Sequence, residues 1–276
     1  MNLLALETST RRLSVALWRD GDLIERGEEL PNGGSERLLP WVNELLRDAG
    51  LTLNSLDGIA FGAGPGSFTG LRLAAGCAQG LAYGLDLPVL GVCTLEALAL
   101  QSGEWKALPD DAALCGKAAS RFAGPAFGCP SAFGLVQPLP PRGPRNTWGG
   151  PACFLKVFAC LDARMNEVYS AAYAGGVEVL PPSVGPAGSV AVPSGEGWTG
   201  CGDGFAVHGD ALAARLGGSL IACRPDVFPT AAAVARLAAP RLARGEGVGA
   251  AFAAPLYVRD KVALTTVERL ARGGVR

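Results

Sequence analysis

The sequence contains a single histidine, His208, and none of its eight cysteines forms a Cys-x-x-Cys pair. A zinc site needs clustered cysteine or histidine ligands, so we expect no metal site. The cysteines fit buried, reduced thiols that pack as small apolar side chains. His208 has no serine or cysteine motif around it that would form a triad, so a hydrolase is disfavoured.

Positive charge is not in excess, because 24 lysines and arginines face 25 aspartates and glutamates, for a net charge of −1. Nucleic-acid binding depends on cationic groups that neutralise phosphates. The chain alone is therefore not expected to grip nucleic acid. Apolar residues make up 49% and charged residues 18%, which argues against a disordered or fibrous class.

Long apolar runs are also missing. The longest candidate, residues 71–87, is interrupted by Arg72, Gln79 and Asp86 and does not reach the ~18 apolar residues of a membrane-spanning helix. The first seven residues lack the basic segment of a signal peptide, and Glu7 ends their apolar run. We expect a cytoplasmic protein without membrane contact.

The apolar pattern of residues 1–101 predicts short strands followed by helices. Strands are predicted over 3–6, 13–17, 23–30, 59–61 and 89–92, with a hairpin turn at Asp20-Gly21. Helices are predicted over 35–49, capped by Ser35 and stopped by Gly50, over 68–85, and from a Thr94 cap to 100. Three strands, a helix, and then alternating elements are typical of a ribonuclease-H-like mixed sheet flanked by helices.

A fainter second copy of this pattern begins at residues 155–161. That apolar run ends in Asp162, as the first ends in Glu7, and Arg164 follows it as Arg11 and Arg12 follow Glu7. A chance likeness is the alternative to a true repeat. The prediction is nevertheless a duplicated α/β fold with a ligand cleft between its halves.

Composition divides the chain into an N-terminal half over 1–101, a segment over 102–152 and a C-terminal half over 153–276. The middle segment holds 8 glycines and 8 prolines in 51 positions, which excludes a regular helix or central strand. We interpret it as an inserted loop or linker, with a docking segment for a partner as the alternative. A helix over 230–244, capped by Thr230, and the tail are expected to pack toward the first half. Its shared apolar face comprises Val234, Leu237, Ala238 and Leu242.

The most informative motif, GAGPGSFTGLR over residues 62–72, lies between a predicted strand and a predicted helix, where phosphate-binding loops occur. It lacks the lysine of a P-loop, and Ser67 replaces the third glycine of a dinucleotide fingerprint. Its glycines are therefore predicted to allow a tight turn and the close approach of another backbone. Small residues in the following helix favour close helix packing, either inside the fold or between subunits.

Polar residues that follow the two equivalent strands are candidates for a cleft. Glu7, Thr8 and Ser9 stand where a nucleotide-splitting enzyme of this architecture would hold metal and phosphate; a polar hairpin turn is the alternative. Asp162 lies in a turn that either lines the cleft or forms a local surface ion pair. Gly202 belongs to a glycine-rich turn, beside a nucleotide base or in an ordinary loop.

Residues 62–72 closely resemble the signature of the TsaB family, also called YeaZ. The resemblance continues in 79–82, 87–92, 94–95, 161–169 and 255–259, and covers most of 1–100 and 154–262. It implies an actin/Hsp70-like (ASKHA) fold of two ribonuclease-H-like halves. It also implies a non-catalytic subunit that binds and activates a TsaD-type transferase, in the complex that makes threonylcarbamoyladenosine next to the tRNA anticodon.

The resemblance also implies the partners and the sites. A TsaE-type ATPase would join the pair, ATP and magnesium would be used by the partners, and tRNA would be reached only through the complex. The chain would have no cofactor or catalytic residue of its own, and alone it could form a homodimer. A residual nucleotide or phosphate cleft would comprise Glu7, Thr8, Ser9, Asp162 and Gly202. The partner surface would lie on the first two helices and comprise Leu38, Leu39, Val42, Leu46, Gly64, Pro65, Gly66, Ser67, Phe68, Thr69, Gly70, Leu71, Arg72 and Ala75.

Three features depart from the family pattern. Glu7 stands where the family often has Asp, the turn at 33–35 lacks a histidine that some relatives carry, and segment 102–152 is unusually long. The long segment fits an unusual linker or an error in the gene model. Two other function classes remain open. A stand-alone ATPase or kinase would have to use Glu7, Thr8 and Asp162, and a peptidase would lack a nucleophile with a base.

Overall fold

The computed structural model describes residues 1–30, 34–102 and 156–259. The predictions made for Gly33, for Leu155, for the 102–152 segment beyond Ser102 and for the tail after Arg259 lie outside the described residues. Within the described ranges, no helix is long and apolar enough to cross a membrane.

The first half forms a five-stranded mixed sheet with the strand order β3-β2-β1-β4-β5. In β1, Leu4 and Leu6 face one helical layer while Leu3 and Ala5 face the other, which explains why this strand is apolar throughout. β1 runs antiparallel to β2 and parallel to β4. The strands are β1 (Asn2–Glu7), β2 (Arg12–Arg19), β3 (Asp22–Glu29), β4 (Gly58–Gly64) and β5 (Val89–Cys93).

The second half repeats this topology with the order β8-β7-β6-β9-β10. Its first strand in chain order again runs antiparallel to its second strand and parallel to its fourth. The repeated order confirms the predicted fold class, two ribonuclease-H-like halves with mixed sheets. The strands are β6 (Lys156–Asp162), β7 (Glu167–Ala174), β8 (Val177–Pro186), β9 (Trp198–Cys201) and β10 (Leu220–Arg224).

Six helices in the described ranges cover the sheets in layers: α1 (Gly34–Asp48), α2 (Phe68–Leu85), α3 (Thr94–Gln101), α4 (Gly204–Val207), α5 (Gly209–Leu216) and α6 (Ala231–Ala243). α1 and α2 share a core with one face of the first sheet, and α6 packs on the other face. α3 inserts Leu95 and Leu98 into a core with the second sheet, whose far face packs against α4 and α5. The ion pair of Glu96 with Arg241, at 2.7 Å, joins α3 to α6.

The start of α6 is capped differently from the prediction. Thr230 is the N-cap, but its side chain makes no capping hydrogen bond. Ala231 N instead donates to Ser14 Oγ at 3.0 Å, and Ala232 N donates to Glu25 Oε1 at 2.9 Å. The first sheet thus supplies the acceptors that a helix start needs.

The residues predicted to cap α3 and α1 lie inside these helices. Thr94 is the first residue of α3, and Cys93 is its N-cap. Ser35 lies one residue inside α1, which begins at Gly34. Helix boundaries commonly shift by one or two residues, so both helices stand where the apolar pattern predicted them.

The five described cysteines are not all buried as predicted. Cys93, Cys160 and Cys201 are buried and Cys77 is half-buried, whereas Cys223 is exposed. The reason is its position on β10, which lies at the edge of the second sheet and, in the described ranges, pairs with β9 alone. The other three cysteines lie outside the described residues.

Five residues predicted for the partner surface lie in the core of the first half: Leu38, Val42, Leu46, Leu71 and Ala75. The structure corrects their assignment. The regular apolar spacing that marked α1 is that of an amphipathic helix, and its apolar stripe faces the sheet of the same chain. Gly64 and Pro65, also assigned to the surface, are buried as well.

Because Ala75 is buried in its own core, Ala75→Trp is expected to overpack that core. The free energy of unfolding should fall by about 1–3 kcal/mol or more, rather than pairing being blocked in an intact monomer. Chemical denaturation measures this. The matched control is Gly76→Ala, one residue along on the exposed side of α2, where we expect a gain of about 0.5–1 kcal/mol. Equal stability of both variants would contradict this placement of Ala75.

Candidate functional site

The glycine motif packs directly on the turn that follows β1. Ser67 N donates to Ser9 O at 2.7 Å, and Thr8 Oγ1 donates to Gly70 O at 2.5 Å. A Cβ on Gly66 would overlap the backbone of Ser9, and one on Gly70 would overlap the backbone of Thr8. The predicted purpose of the motif's glycines, close approach by another backbone, is confirmed.

The acid of this turn is enclosed by the protein. The Glu7 side chain is 0% exposed, and it lies so close to Gly62 that a Cβ there would overlap the carboxylate. Glu7 Oε1 accepts a hydrogen bond from Ser9 N, while Glu7 Oε2 and Ser9 Oγ are buried without a partner. Burial raises the pKa of Glu7 to about 7, against the effect of its hydrogen bonds. The structure thus brings Glu7, Thr8 and Ser9 together, but in the interior.

Asp162 belongs to a second cluster, in the other half. Asp162 Oδ1 lies 3.2 Å from His208 Nε2, Asp162 Oδ2 lies 3.2 Å from Arg164 Nη1, and Asp162 N donates to Asp203 Oδ1 at 3.1 Å. Burial raises the pKa of Asp203. Sequence reasoning missed the pairing of His208, because 46 positions separate it from Asp162 and no local motif links them. The predicted surface ion pair with Arg164 is present, but it is one contact of a larger network.

The predicted cleft residues lie in two clusters, at the turns that follow β1 and β6, and among the described residues these share no direct polar contact. In the described part of the chain, no hydrogen bond or ion pair joins Glu7, Thr8 or Ser9 to Asp162. A Cβ on Gly202 would overlap Cys160 O and crowd Leu98, so this glycine serves internal packing. The described ranges also hold no group of three or more His, Cys, Asp or Glu side chains that could bind a metal ion.

Sequence reasoning did not separate an exposed stripe along α2 from the small buried residues of the same helix. It comprises Phe68, Arg72, Gly76, Gly80 and Tyr83, which follow one another at helical spacing and share one side of the helix. We call this stripe the outer face, and Leu39 of α1 is a separate exposed apolar residue. Phe68 is 46% exposed, Tyr83 82% and Leu39 45%. A helical wheel of residues 68–85 would have separated this stripe from the buried alanines.

Part of the predicted partner set is not buried, and Phe68 and Arg72 of that set belong to the outer face. Leu39, Ser67, Phe68, Thr69 and Arg72 are exposed, and Gly66 and Gly70 are half-buried.

The two glycines in the middle of the stripe face open space. Among the described residues, a Cβ on Gly76 or on Gly80 would meet nothing within 4 Å beyond the backbone of its own helix, so no described contact requires glycine there. Phe68 and Tyr83 stand on either side of this pair along the helix. Phe68 with Arg72 on one side and Tyr83 on the other therefore flank a stretch of the stripe that carries no side chain.

Comparison with known proteins agrees with this architecture. The TsaB protein of Escherichia coli, named for tRNA threonylcarbamoyladenosine biosynthesis, is 31% identical over 95% of this chain and 96% of its own length. The chain belongs to the TsaB (YeaZ) family. The solved structure of YeaZ from Pseudomonas aeruginosa is 35% identical, covers 93% of this chain and 99% of its own, and superposes with a TM-score of 0.67.

Two shorter matches fall within this family relationship. The Haemophilus influenzae TsaB protein is 50% identical over 99 residues, which are 36% of this chain and 42% of that protein. A sequence profile described as TsaD, tRNA N6-adenosine threonylcarbamoyltransferase, matches residues 32–115. Family membership assigns the chain to tRNA threonylcarbamoyladenosine biosynthesis.

The buried acid predicts a pH dependence of stability. Between pH 4.5 and about 7 the unfolded chain has lost the Glu7 proton while the folded chain keeps it, so the free energy of unfolding falls as the pH rises through this window. The full difference is on the order of 3 kcal/mol. Glu7→Gln keeps an acceptor for Ser9 N without a charge, and should flatten this slope. Urea denaturation at pH 5, 6, 7 and 8 tests it.

The comparison between variants isolates Glu7 from other buried acids, such as Glu25, whose pKa burial raises to about 8. The control is Glu36→Gln, at an exposed acid in the first turn of α1, and it should keep the wild-type slope. Parallel curves for wild type and Glu7→Gln would show that Glu7 is ionised in the folded chain at all these pH values.

Proposed function

We propose that this chain is the non-catalytic subunit of the tRNA N6-adenosine threonylcarbamoyltransferase complex, and that it binds and activates a TsaD-type transferase through the outer face. The observation that carries the proposal is the exposed pair Gly76 and Gly80, between Phe68 and Tyr83. A glycine inside a helix costs about 1 kcal/mol relative to alanine, and no contact with the described part of the chain offsets that cost here.

A partner helix would give these glycines a purpose. The distance between two packed helices depends on the side chains at their contact, so a helix crossing α2 at Gly76 and Gly80 can come unusually close. Phe68 and Tyr83 would then contact the partner on either side of the crossing. Exposed aromatic side chains of this size are typical anchors of protein interfaces. The same face offers a site for self-association when the transferase is absent.

The turn after β1 supports a non-catalytic role. A kinase or ATPase of this fold needs an ionised acid and open positions for metal and phosphate. Here Glu7 is enclosed, the Thr8 hydroxyl donates its hydrogen bond to Gly70 O, and the Ser9 carbonyl accepts one from Ser67 N. In this assembly the partners, a TsaE-type ATPase among them, bind ATP and magnesium, and this chain does not. The complex acts in the cytoplasm, and this chain reaches tRNA only as part of the complex.

Reconstitution tests the role. Threonylcarbamoyladenosine on tRNA is measured with a TsaD-type transferase, a TsaE-type ATPase and the activated threonylcarbamoyl donor, with and without this chain. Product only in the presence of the chain, and none from the chain alone, is the expected result. Equal product without it would reject the proposal. ATP hydrolysis by the isolated chain that disappears in Glu7→Gln would favour the alternative, a stand-alone ATPase.

Gly80→Gln tests the outer face separately from folding. Glutamine is a better helix former than glycine and its Cβ faces open space here, so the melting temperature should stay equal or rise. The same side chain would hold a partner helix away, and affinity for the transferase should fall at least about tenfold. Isothermal titration calorimetry measures this effect. Ala213→Gln on the exposed side of α5 is the control and should bind like wild type. Unchanged binding by Gly80→Gln would exclude this face.

A further inference from the structure

The chain that follows α6 forms a strap across both halves. Residues 248–259, the C-terminal strap, begin beside β5, where Val89 and Val248 exchange two backbone hydrogen bonds of 2.8 Å. Gln79 Nε2 of α2 donates to Ala253 O at 2.7 Å, and Leu256 N donates to Ala63 O at 2.6 Å. The strap therefore passes from the core under α2 toward the second half.

Tyr257 attaches the strap to the start of α2. Arg72 Nε donates to Tyr257 Oη at 3.2 Å, the rings of Phe68 and Tyr257 lie 6.0 Å apart, and the Arg72 guanidinium lies 3.9 Å above the Phe68 ring. Phe68 and Arg72 both belong to the outer face. The N-cap of α2, Ser67, makes no side-chain capping hydrogen bond, so these contacts contribute to the order of the first turn.

Arg259 attaches the other end of the strap to the turn between β6 and β7. Its Nη2 donates to Ala163 O at 3.1 Å and to Glu167 Oε2 at 2.5 Å, and Nη1 lies 3.6 Å from Met165 Sδ. Three consecutive residues of this turn, 164–166, have positive φ, a conformation that side chains other than glycine adopt at a cost. A guanidinium that binds both ends of the turn offsets that cost. The turn also carries Asp162 at its start.

We infer that Tyr257 and Arg259 are positioning residues, which couple the first turn of α2, and with it the outer face, to the β6–β7 turn of the second half. Only two positions separate the contact with α2 from the contact with the turn, so a displacement at one end is transmitted to the other. The inference depends on the proposed function only for the identity of the partner. By linkage, binding at the outer face orders the β6–β7 turn, and ordering of that turn strengthens binding.

Hydrogen exchange tests the coupling without any partner. Arg259→Gln removes the charged contact to the β6–β7 turn, and amides of residues 71–75 in α2 should exchange about tenfold faster. Tyr257→Phe removes only the hydroxyl at the other end, and exchange should accelerate in the β6–β7 turn. The control is Arg244→Gln, at an exposed arginine whose partner is Glu246, before the strap. It should leave both regions unchanged.

Amides of residues 3–6 in β1 report on global stability. If Arg259→Gln accelerates them by the same factor as residues 71–75, the effect is a general loss of stability and the inference fails. It also fails if residues 71–75 exchange as in wild type.

Titration with a TsaD-type transferase then measures the consequence. Affinity should fall about tenfold in Arg259→Gln and stay at the wild-type value in Arg244→Gln. If exchange responds as expected but wild type binds no transferase, the coupling holds and the proposed function fails. If wild type binds and Arg259→Gln binds equally well, the coupling does not reach the outer face and the inference is overturned.

Discussion

The contact of the Thr8–Ser9 backbone with the glycines of residues 62–72 determines much of the arrangement described above. Two hydrogen bonds fix where α2 begins and its direction relative to β4. Ser67 N donates to Ser9 O, and the Thr8 hydroxyl donates to Gly70 O. The start of α2 in turn sets which side of the helix faces the first sheet and which side forms the outer face. The same contact encloses Glu7 against Gly62. One close approach of two backbones thus determines both the exposed helix surface and the closed state of the turn where this fold type offers a phosphate site.

Two elements late in the chain complete the first half. The donors at the start of α6 bind Ser14 and Glu25 of the first sheet, and the C-terminal strap inserts Ala253 into the core under α2. α3 has the opposite position, since it follows the first sheet in sequence but packs into the core of the second. Each half therefore buries apolar surface against a helix that follows the strands of the other half in the chain. α6 covers the first sheet, and α3 covers the second. This exchange makes separate folding of the halves unfavourable.

The sequence predicted the fold well because its signals are local. The apolar runs that end at Glu7 and Asp162, and the turn at Asp20-Gly21, correspond to observed strands and a turn. The site was less predictable. Apolar spacing in α1 identified residues that face a core but could not say which core, so Leu38 and Val42 were assigned to a partner. His208 and Arg259 meet the β6–β7 turn through contacts between distant positions, which no spacing rule reveals.

The exposed glycines of α2 carry functional information because they contradict local helix preference. Selection for stability alone would replace Gly76 and Gly80 by alanine, which fits the available space and favours the helix. The buried face of the same helix is built from Ala74, Ala75 and Ala78, so small size was achievable there without glycine. In the proposed complex, glycine on the open side of α2 lets the partner helix come closer than a methyl group would allow. The aromatic side chains at both ends of the stripe, exposed in the isolated chain, would contact the same partner.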